Sequence, residues 1–407
     1  MSGNNRSKTT VRKCNIVLLS VLYYAVRIYC FFCGIRIKKT DKTDSRINGP
    51  AIVICNHGSF IDFIYAASLI WKSRPHFVVA RLYFYHTLLG GLLRVLGCFP
   101  KSMFATDIES VKNCVKVLKS GEVLVMMPEA RLSTAGKFED IQSTTYAFLK
   151  KSGVPVYAVK LNGNYFADPK WGKGMRKGSQ IEAELDILFT PDELCVLSEK
   201  QIADRVEKHL YYDEFKWLKQ RPDVKYRSRR IAEGLENILA VCPLCKQKHT
   251  ITAKGRDIFC ENCGKLVSVD CRYGFSKGFV FENFGQWYDW QKELLKKRIE
   301  DTPDFVLASE VELRLPGTGN ALTRSAGRGV CTLDRSGLHY DGTRDGKNYN
   351  IGFSLSRVYR LLFGAGKNFE IYNGSEILYF VPDDPRTCVD WYLVSMLLYD
   401  EQFADKL

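Results

Sequence analysis

AIVICNHGSFIDF, residues 51–63, joins five apolar residues to a turn carrying His57 and then to a helix-like start carrying Asp62. AIVIC is short, branched and uninterrupted by polar residues, the pattern of a strand covered on both faces. Were His57 and Asp62 both helical, a five-residue separation would set them roughly 140° apart around the axis, on different faces. With Ser59 as the N-cap, the helix starts at Phe60 and Asp62 becomes its third residue in an S-x-x-D capping pattern. His57 then lies in the preceding turn, where the imidazole can fold back over the carboxylate. Asp62 would orient the ring and stabilise its protonated form, leaving the other nitrogen to accept a proton. The spacing alone equally permits a plain helix cap beside an ordinary loop histidine.

Outward from this stretch, HFVVA (76–80), EVLVMM (122–127), PVYAVKL (155–161) and IEAELDIL (181–188) read as further strands. The segment Thr106–Lys119 reads as a helix: Thr106 and Glu109 have capping-box spacing, Val111, Val115 and Leu118 share a face, and Gly121 follows. Strands alternating with amphipathic runs predict an α/β sheet whose ligands gather at the carboxyl ends of the strands. Just beyond those ends stand His57, Arg81 and Pro128-Glu129-Ala130-Arg131. A base and two guanidinium groups converging on one crevice suit a phosphate-bearing alcohol substrate.

N-H-x-S-x-x-D after a buried strand resembles the first motif of the glycerolipid acyltransferases, the family that includes 1-acylglycerol-3-phosphate acyltransferase. Other blocks follow in that family's order. VVARLYF (78–84) is similar to its A-K-x-E-L block, GCFPK (97–101) to its second motif, MPEARLS (127–133) to its F-P-E-G-T-R-S block, and GVPVYAVKLNG (153–163) to its V-P-V-x-P-V strand. The resemblance covers residues 14 to about 220. Arg81 stands where the family has lysine, Tyr83-Phe84 replace its Glu-Leu, Ala130 replaces a glycine, and Arg131 comes one residue early.

The resemblance implies an α/β acyltransferase that moves an acyl group from acyl-CoA or acyl carrier protein to a lysophospholipid hydroxyl, with 1-acylglycerol 3-phosphate as the expected acceptor. Glycerol 3-phosphate or another lysolipid is the alternative. It implies His57 as general base oriented by Asp62, no covalent intermediate and no catalytic cofactor. Arg81, Lys101 and Arg131 would hold the acceptor phosphate, Glu129 would brace its loop, and backbone N–H groups at Gly58–Phe60 would face the oxyanion.

The formal charge of +14 is unevenly placed: residues 1–100 carry 14 Lys+Arg against 3 Asp+Glu, and residues 301–407 carry 11 against 15. The basic end therefore should meet an anionic surface or substrate. It contains CNIVLLSVLYYAVRIYCFFCGI (14–35), interrupted by Arg27 and flanked by Arg6, Lys8, Arg12 and Lys13 before and Arg36, Lys38, Lys39 and Lys42 after. Basic residues on both sides leave no clear inside, which suits a segment dipping into one leaflet or a single anchor at the cytoplasmic face of a membrane. LYFYHTLLGGLLRVLGCF (82–99) either lies against lipid, lines an acyl-chain tunnel or forms a core helix. PKWGKGMRKG (169–178) suits a headgroup interface or a solvated loop.

Beyond the acyltransferase-like region, Cys242-x2-Cys245 and Cys260-x2-Cys263, with 14 residues between the pairs, resemble a zinc ribbon. No cleavable signal peptide is evident, and in a reducing compartment paired cysteines hold metal rather than each other. Four sulfur ligands make a closed, structural zinc site, with His249 a bystander. After an aromatic helix-like stretch, β-type runs separated by turns and followed by a final helix resemble a pleckstrin-homology or GRAM-type module. The predicted organisation is a membrane-associating segment (1–44), the acyltransferase domain (45–237), the ribbon (238–275), a linker helix (276–301) and a β-rich domain (302–407). Expected partners are a phospholipid surface, the acceptor and the acyl thioester, with a protein contact possible through the last domain. A zinc-ribbon nucleic-acid-binding protein is the reading from another class; it leaves the ordered motifs and the apolar segment unexplained, so no nucleic acid is expected.

Overall fold

A computed structural model describes residues 11–39, 46–317, 319 and 321–403. The basic flanks Arg6, Lys8 and Lys42, and the first residue of the expected acyltransferase domain, lie outside these. Strands β1 (Arg36–Lys39), β2 (Ala51–Cys55), β3 (Pro75–Ala80), β4 (Phe99–Lys101), β5 (Val123–Met126), β6 (Val156–Asn162) and β7 (Gln180–Phe189) form one sheet in the order β1-β7-β6-β2-β5-β3-β4. Every pairing is parallel except β6 with β7. The strand β1 belongs to this sheet, which therefore extends upstream of residue 45.

Why AIVIC carries no polar residue is visible in its burial. All five residues are buried, Ala51, Val53 and Cys55 against one layer of the core and Ile52 and Ile54 against the other. Leu124 of β5 and Val156 and Ala158 of β6 continue the second layer. A strand covered on both faces cannot alternate apolar with polar.

Helices α1 (Ile16–Cys33), α2 (Asp62–Leu69), α3 (Thr87–Val95), α4 (Ile108–Lys119) and α5 (Ser143–Ser152) flank the sheet. Two sequence expectations need correction. The cap of α4 is Asp107, not Thr106: its carboxylate accepts the Ser110 N–H at 3.0 Å and the Ser102 N–H at 2.8 Å, so no Thr106–Glu109 box forms. The buried face of α4 is Cys114, Val117 and Leu118, while Val111 and Val115 are exposed. The second correction concerns α2, which starts at Asp62, two residues later than the Ser59 cap implies. Ser59 to Ile61 form a turn instead.

Among the described residues, α1 is the one helix long and apolar enough to cross a membrane. It anchors to the sheet layer by stacking Tyr23 on Trp71 with ring centroids 5.1 Å apart, while Val17, Val21, Ile28, Phe31 and Phe32 stay exposed.

Three antiparallel strands, β8 (Ile251–Lys254), β9 (Asp257–Cys260) and β10 (Gly264–Ser268), follow. The loop 169–178 is split: Lys173 and Lys177 are exposed, while Trp171 and Arg176 turn inward. Trp171 is 3% exposed and donates to the Tyr165 hydroxyl at 2.8 Å, and buried Arg176 donates to the Tyr273 hydroxyl at 3.1 Å. This loop is the joint between the large sheet and the cysteine-bearing segment.

The helix Phe284–Glu300 leads to a second seven-stranded sheet, entirely antiparallel: β11 (Leu307–Pro316), β12 (Thr323–Asp334), β13 (Gly337–Arg344), β14 (Lys347–Ser354), β15 (Leu362–Gly364), β16 (Asn368–Asn373) and β17 (Glu376–Pro382), ordered β14-β13-β12-β11-β17-β16-β15. The C-terminal helix Cys388–Phe403 closes it, with Trp391 stacked on Phe369 at 4.2 Å.

Candidate active site

The turn after β2 is built residue by residue. Asn56 extends the strand by using its side chain as a peptide group: its Nδ2 donates to Leu161 O at 2.8 Å and its Oδ1 accepts Leu161 N–H at 2.7 Å. A Cβ at Gly58 would come 2.8 Å from Asn164 Nδ2, so a larger residue there would have to displace the amide that contacts Asp62. Ser59 N–H donates to Asp62 Oδ2 at 2.8 Å, which curls the turn back on the start of α2. The imidazole follows, and His57 Nδ1 stands 3.2 Å from the same oxygen. Asn164 Nδ2 occupies the other carboxylate oxygen at 2.8 Å. Asp62 is fully buried, whereas the His57 side chain is 19% exposed and lines a cavity. A carboxylate facing Nδ1 selects the tautomer protonated there and leaves Nε2 as an acceptor.

The loop after β5 holds His57 by its backbone from both sides. Glu129 Oε1 accepts the His57 N–H at 2.8 Å, Glu129 Oε2 accepts the Glu139 N–H at 2.9 Å, and Ser133 N–H donates to His57 O at 3.0 Å. Burial pushes the Glu129 carboxyl up to about 8, although both N–H groups pull the other way. Within this loop Ala130 adopts φ +56°, the left-handed region that suits the glycine of the resembled motif.

The cavity beside His57 has a volume of about 700 Å³, within the size range of small-molecule sites, and its walls are mostly apolar. Leu19, Tyr23 and Val26 of α1, Phe60 and Phe63, and Leu89, Leu92 and Leu93 of α3 contribute to it. The segment 82–99 is thus no core helix: only Gly90 of α3 is buried, and Leu88 faces outward. The far wall comes from the second sheet through Leu362, Phe363 and Glu370, from adjoining Leu361, and from Tyr392 of the C-terminal helix. Nothing in the sequence periodicity joins residues some 300 positions apart, so this wall escaped sequence reasoning.

The three expected phosphate ligands do not gather. Arg81 donates to Asp107 at 2.8 Å and to Ser102 Oγ at 2.9 Å and is not part of the cavity wall. Burial raises Asp107, but the Ser102 and Ser110 N–H groups and the Arg81 guanidinium outweigh it and hold the carboxyl below its ordinary range. Lys101 lines a smaller neighbouring cavity of about 170 Å³ that shares Met127 and Ala130 with the first. Arg131 does line the main cavity, held by Glu139 at 3.1 Å and by Asp140 and lying over the rings of Phe104 and Tyr392. Its Nη1 is buried without a hydrogen-bond partner.

The sulfurs of Cys242, Cys245, Cys260 and Cys263 all lie within 4.8 Å of one another, with 3.9 Å between Cys242 and Cys263 and 3.7 Å between Cys245 and Cys260. Tetrahedral zinc with bonds of about 2.3 Å has ligand edges of about 3.8 Å, so these four fit the ion. His249 is outside the cluster and pairs with Asp390 of the C-terminal helix at 2.9 Å.

Residues 36–162 match the family described as Acyltransferase, and this part of the chain is an Acyltransferase-family domain. The chain is 24% identical over 197 residues to the chloroplastic 1-acyl-sn-glycerol-3-phosphate acyltransferase LPAT1 of Arabidopsis thaliana, covering 46% of this chain and 53% of that protein. It is 24% identical over 198 residues to the chloroplastic 1-acyl-sn-glycerol-3-phosphate acyltransferase BAT2 of Brassica napus, covering 46% and 54%. The chain therefore spans about half the length of these relatives. Among solved structures, the 1-acyl-sn-glycerophosphate acyltransferase PlsC from Thermotoga maritima is similar at 18% identity and a TM-score of 0.37, covering 47% of this chain and 76% of that one.

Proposed function

We propose that this protein is a membrane-associated acyltransferase that moves an acyl group from a coenzyme A or acyl carrier protein thioester to the free hydroxyl of a lysophospholipid, with 1-acylglycerol 3-phosphate giving phosphatidic acid as the principal reaction. The observation that carries this reading is an oriented imidazole beside a mostly apolar cavity: His57 Nδ1 lies 3.2 Å from fully buried Asp62, and His57 lines the cavity. A hydroxyl at neutral pH is a poor nucleophile, so a base must take its proton as the bond to the thioester carbon forms. His57 Nε2 is that base. The tetrahedral intermediate collapses by breaking the C–S bond, and the imidazolium returns its proton to the leaving thiolate.

Two N–H groups of the turn are already committed, that of His57 to Glu129 and that of Ser59 to Asp62. The oxyanion is therefore assigned to Gly58 and Phe60. Arg131 is the phosphate contact retained, while Arg81 serves to fix the Ser102–Asp107 turn. Exposed apolar residues of α1 and α3 rest in lipid, so acyl chains pass from the bilayer into the cavity between these helices. The cysteine cluster would hold structural zinc, which contributes to folding and to no step of transfer.

The test is full-length protein in detergent with the same radiolabelled acyl group carried on coenzyme A or on acyl carrier protein, and a panel comprising 1-acylglycerol 3-phosphate, glycerol 3-phosphate, neutral monoacylglycerol and other lysophospholipids, with the lipid products identified. Label appearing in phosphatidic acid supports the reading, and no transfer to any acceptor from either carrier overturns it.

A further inference from the structure

Lys170 enters the cavity wall from a loop beyond the family-matched residues 36–162, and among the described residues it makes no ion pair or hydrogen bond. The ammonium of this partly buried residue stands 3.7 Å from the centre of the ring of Phe363, a residue of the second sheet. A cation–π contact of this kind fixes the position of an ammonium without neutralising it. An unpaired charge in apolar surroundings is costly, and an anion arriving there recovers that cost. The same cavity contains His57 and Arg131, whose Nη1 also lacks a partner.

We propose that Lys170 is a specificity-determining residue that, together with Arg131 Nη1, binds the anionic headgroup of the acyl acceptor, and that the second sheet takes part in acceptor choice by positioning Lys170 through Phe363. The proposal rests on the acyltransferase reading. Glu370, the cavity carboxyl on the Lys170 side, accepts a hydrogen bond from Asn368 at 3.0 Å, and burial raises it to about 7, which limits its repulsion of an incoming phosphate near neutral pH. Burial lowers Lys170 to about 8; Arg131 pushes the same way, and Glu139 and Glu370 oppose. Its charge, and with it the anion contact, is therefore present below pH 8 and fades above.

Lys170→Met and Lys170→Arg full-length proteins are compared with wild type using 1-oleoylglycerol 3-phosphate and neutral monooleoylglycerol as acceptors and oleoyl-CoA as donor. Loss of a charge-assisted hydrogen bond is expected to raise the KM for the phosphorylated acceptor at least about tenfold in Lys170→Met, with the KM for oleoyl-CoA and the binding of monooleoylglycerol unchanged, which also reports an intact fold. Lys170→Arg restores the KM and keeps it constant above pH 8, where that of wild type climbs. An unchanged acceptor KM, or a rise in the oleoyl-CoA KM instead, overturns the proposal, the latter assigning Lys170 to donor phosphates. If wild type transfers to no acceptor, the activity reading fails separately and equilibrium binding decides. A dissociation constant for 1-oleoylglycerol 3-phosphate about tenfold weaker in Lys170→Met supports the anion site, and an equal one overturns it.

Discussion

Replacing Asp62 by asparagine removes a charge from the candidate site and leaves its shape. Oδ2 of the carboxylate faces Ser59 N–H at 2.8 Å and His57 Nδ1 at 3.2 Å, and Oδ1 accepts Asn164 Nδ2 at 2.8 Å. An asparagine that keeps its oxygen toward Ser59 and His57 turns its NH2 toward Asn164. The side-chain oxygen of Asn164 is buried without a hydrogen-bond partner, so rotating that amide restores a donor–acceptor pair. The cost to the fold is then one exchanged hydrogen bond, about 1 kcal/mol. The cost to catalysis is larger. Opposite unit charges at 3.2 Å interact by about 5 kcal/mol at an effective dielectric near 20, which caps the loss at about three to four orders of magnitude in rate. Dipoles and solvent that reorganise around the imidazolium recover part of this, so Asp62→Asn is expected to lower kcat about 100- to 1,000-fold. Initial rates of CoA release with 1-acylglycerol 3-phosphate, run beside thermal melts, measure both quantities. In a His57→Ala background the same change should cost almost nothing, because the pair acts as a unit. A kcat within threefold of wild type would refute the orienting role. So would a full loss in the His57→Ala background, or a fall accompanied by collapse of the melting transition, which would make Asp62 a brace for the turn alone.

Cys260→Ser should abolish a stoichiometric zinc content of one ion per chain and lower the melting temperature by about 5 °C or more; full metal retention with an unchanged melt contradicts a four-sulfur site. Phe31→Ser combined with Phe32→Ser, at two rings each 79% exposed, should weaken co-flotation with phospholipid vesicles at least tenfold, since each phenylalanine placed in lipid contributes about 1.5–3 kcal/mol. Undiminished flotation removes α1 as the lipid contact. Arg360→Ala should alter acid unfolding. Burial raises Asp140, but Arg131 and Arg360 hold it down to about 2. A carboxyl depressed in the folded state contributes stability above its ordinary range and loses it as pH falls toward 2. The variant should therefore unfold less steeply between about pH 4 and 2 than wild type, with lower stability at neutral pH. Superimposable acid-unfolding curves would show that this contact contributes nothing.

How far the site was legible depended on whether local chemistry sufficed. AIVIC, its neighbours and their strand character follow from apolar runs, whereas the His57–Asp62 approach was one of two arrangements that the spacing equally permits. The helix start after that turn was misplaced because S-x-x-D describes a cap at Ser59, while the actual contact runs from the Ser59 backbone to the Asp62 side chain and leaves Phe60 and Ile61 in the turn. The α4 cap was misassigned for a related reason. Asp107 also receives Arg81 from 26 residues away, a partner that favours it over Thr106 and that no local pattern contains. Trp171 and Arg176 illustrate the limit most clearly. A Lys, Arg, Gly and Trp mixture reads as a wet interface, and only the folded chain shows Tyr165 and Tyr273 waiting for their polar ends.

The second sheet is best understood through what it does to Arg131. Glu139 and Asp140, which hold that guanidinium, are themselves held by the C-terminal part of the chain: Tyr392 donates to Glu139 at 2.8 Å, Arg360 reaches Asp140 at 3.1 Å, and the Tyr359 hydroxyl bonds the same carboxylate. Arg360 is tied in turn to Asp400 at 2.7 Å. Buried charges are tolerated only when each finds its counterpart, and removing one member leaves the rest uncompensated. The C-terminal helix therefore braces Arg131 through Glu139, and that helix is also tied to the cysteine-bearing segment through Asp390 and His249. The cavity wall, the one cation of the third motif that reaches it and the metal-type knuckles form one mechanical chain. A candidate site whose far wall comes from the C-terminal part of the chain depends on that part for its geometry, whatever else it contacts.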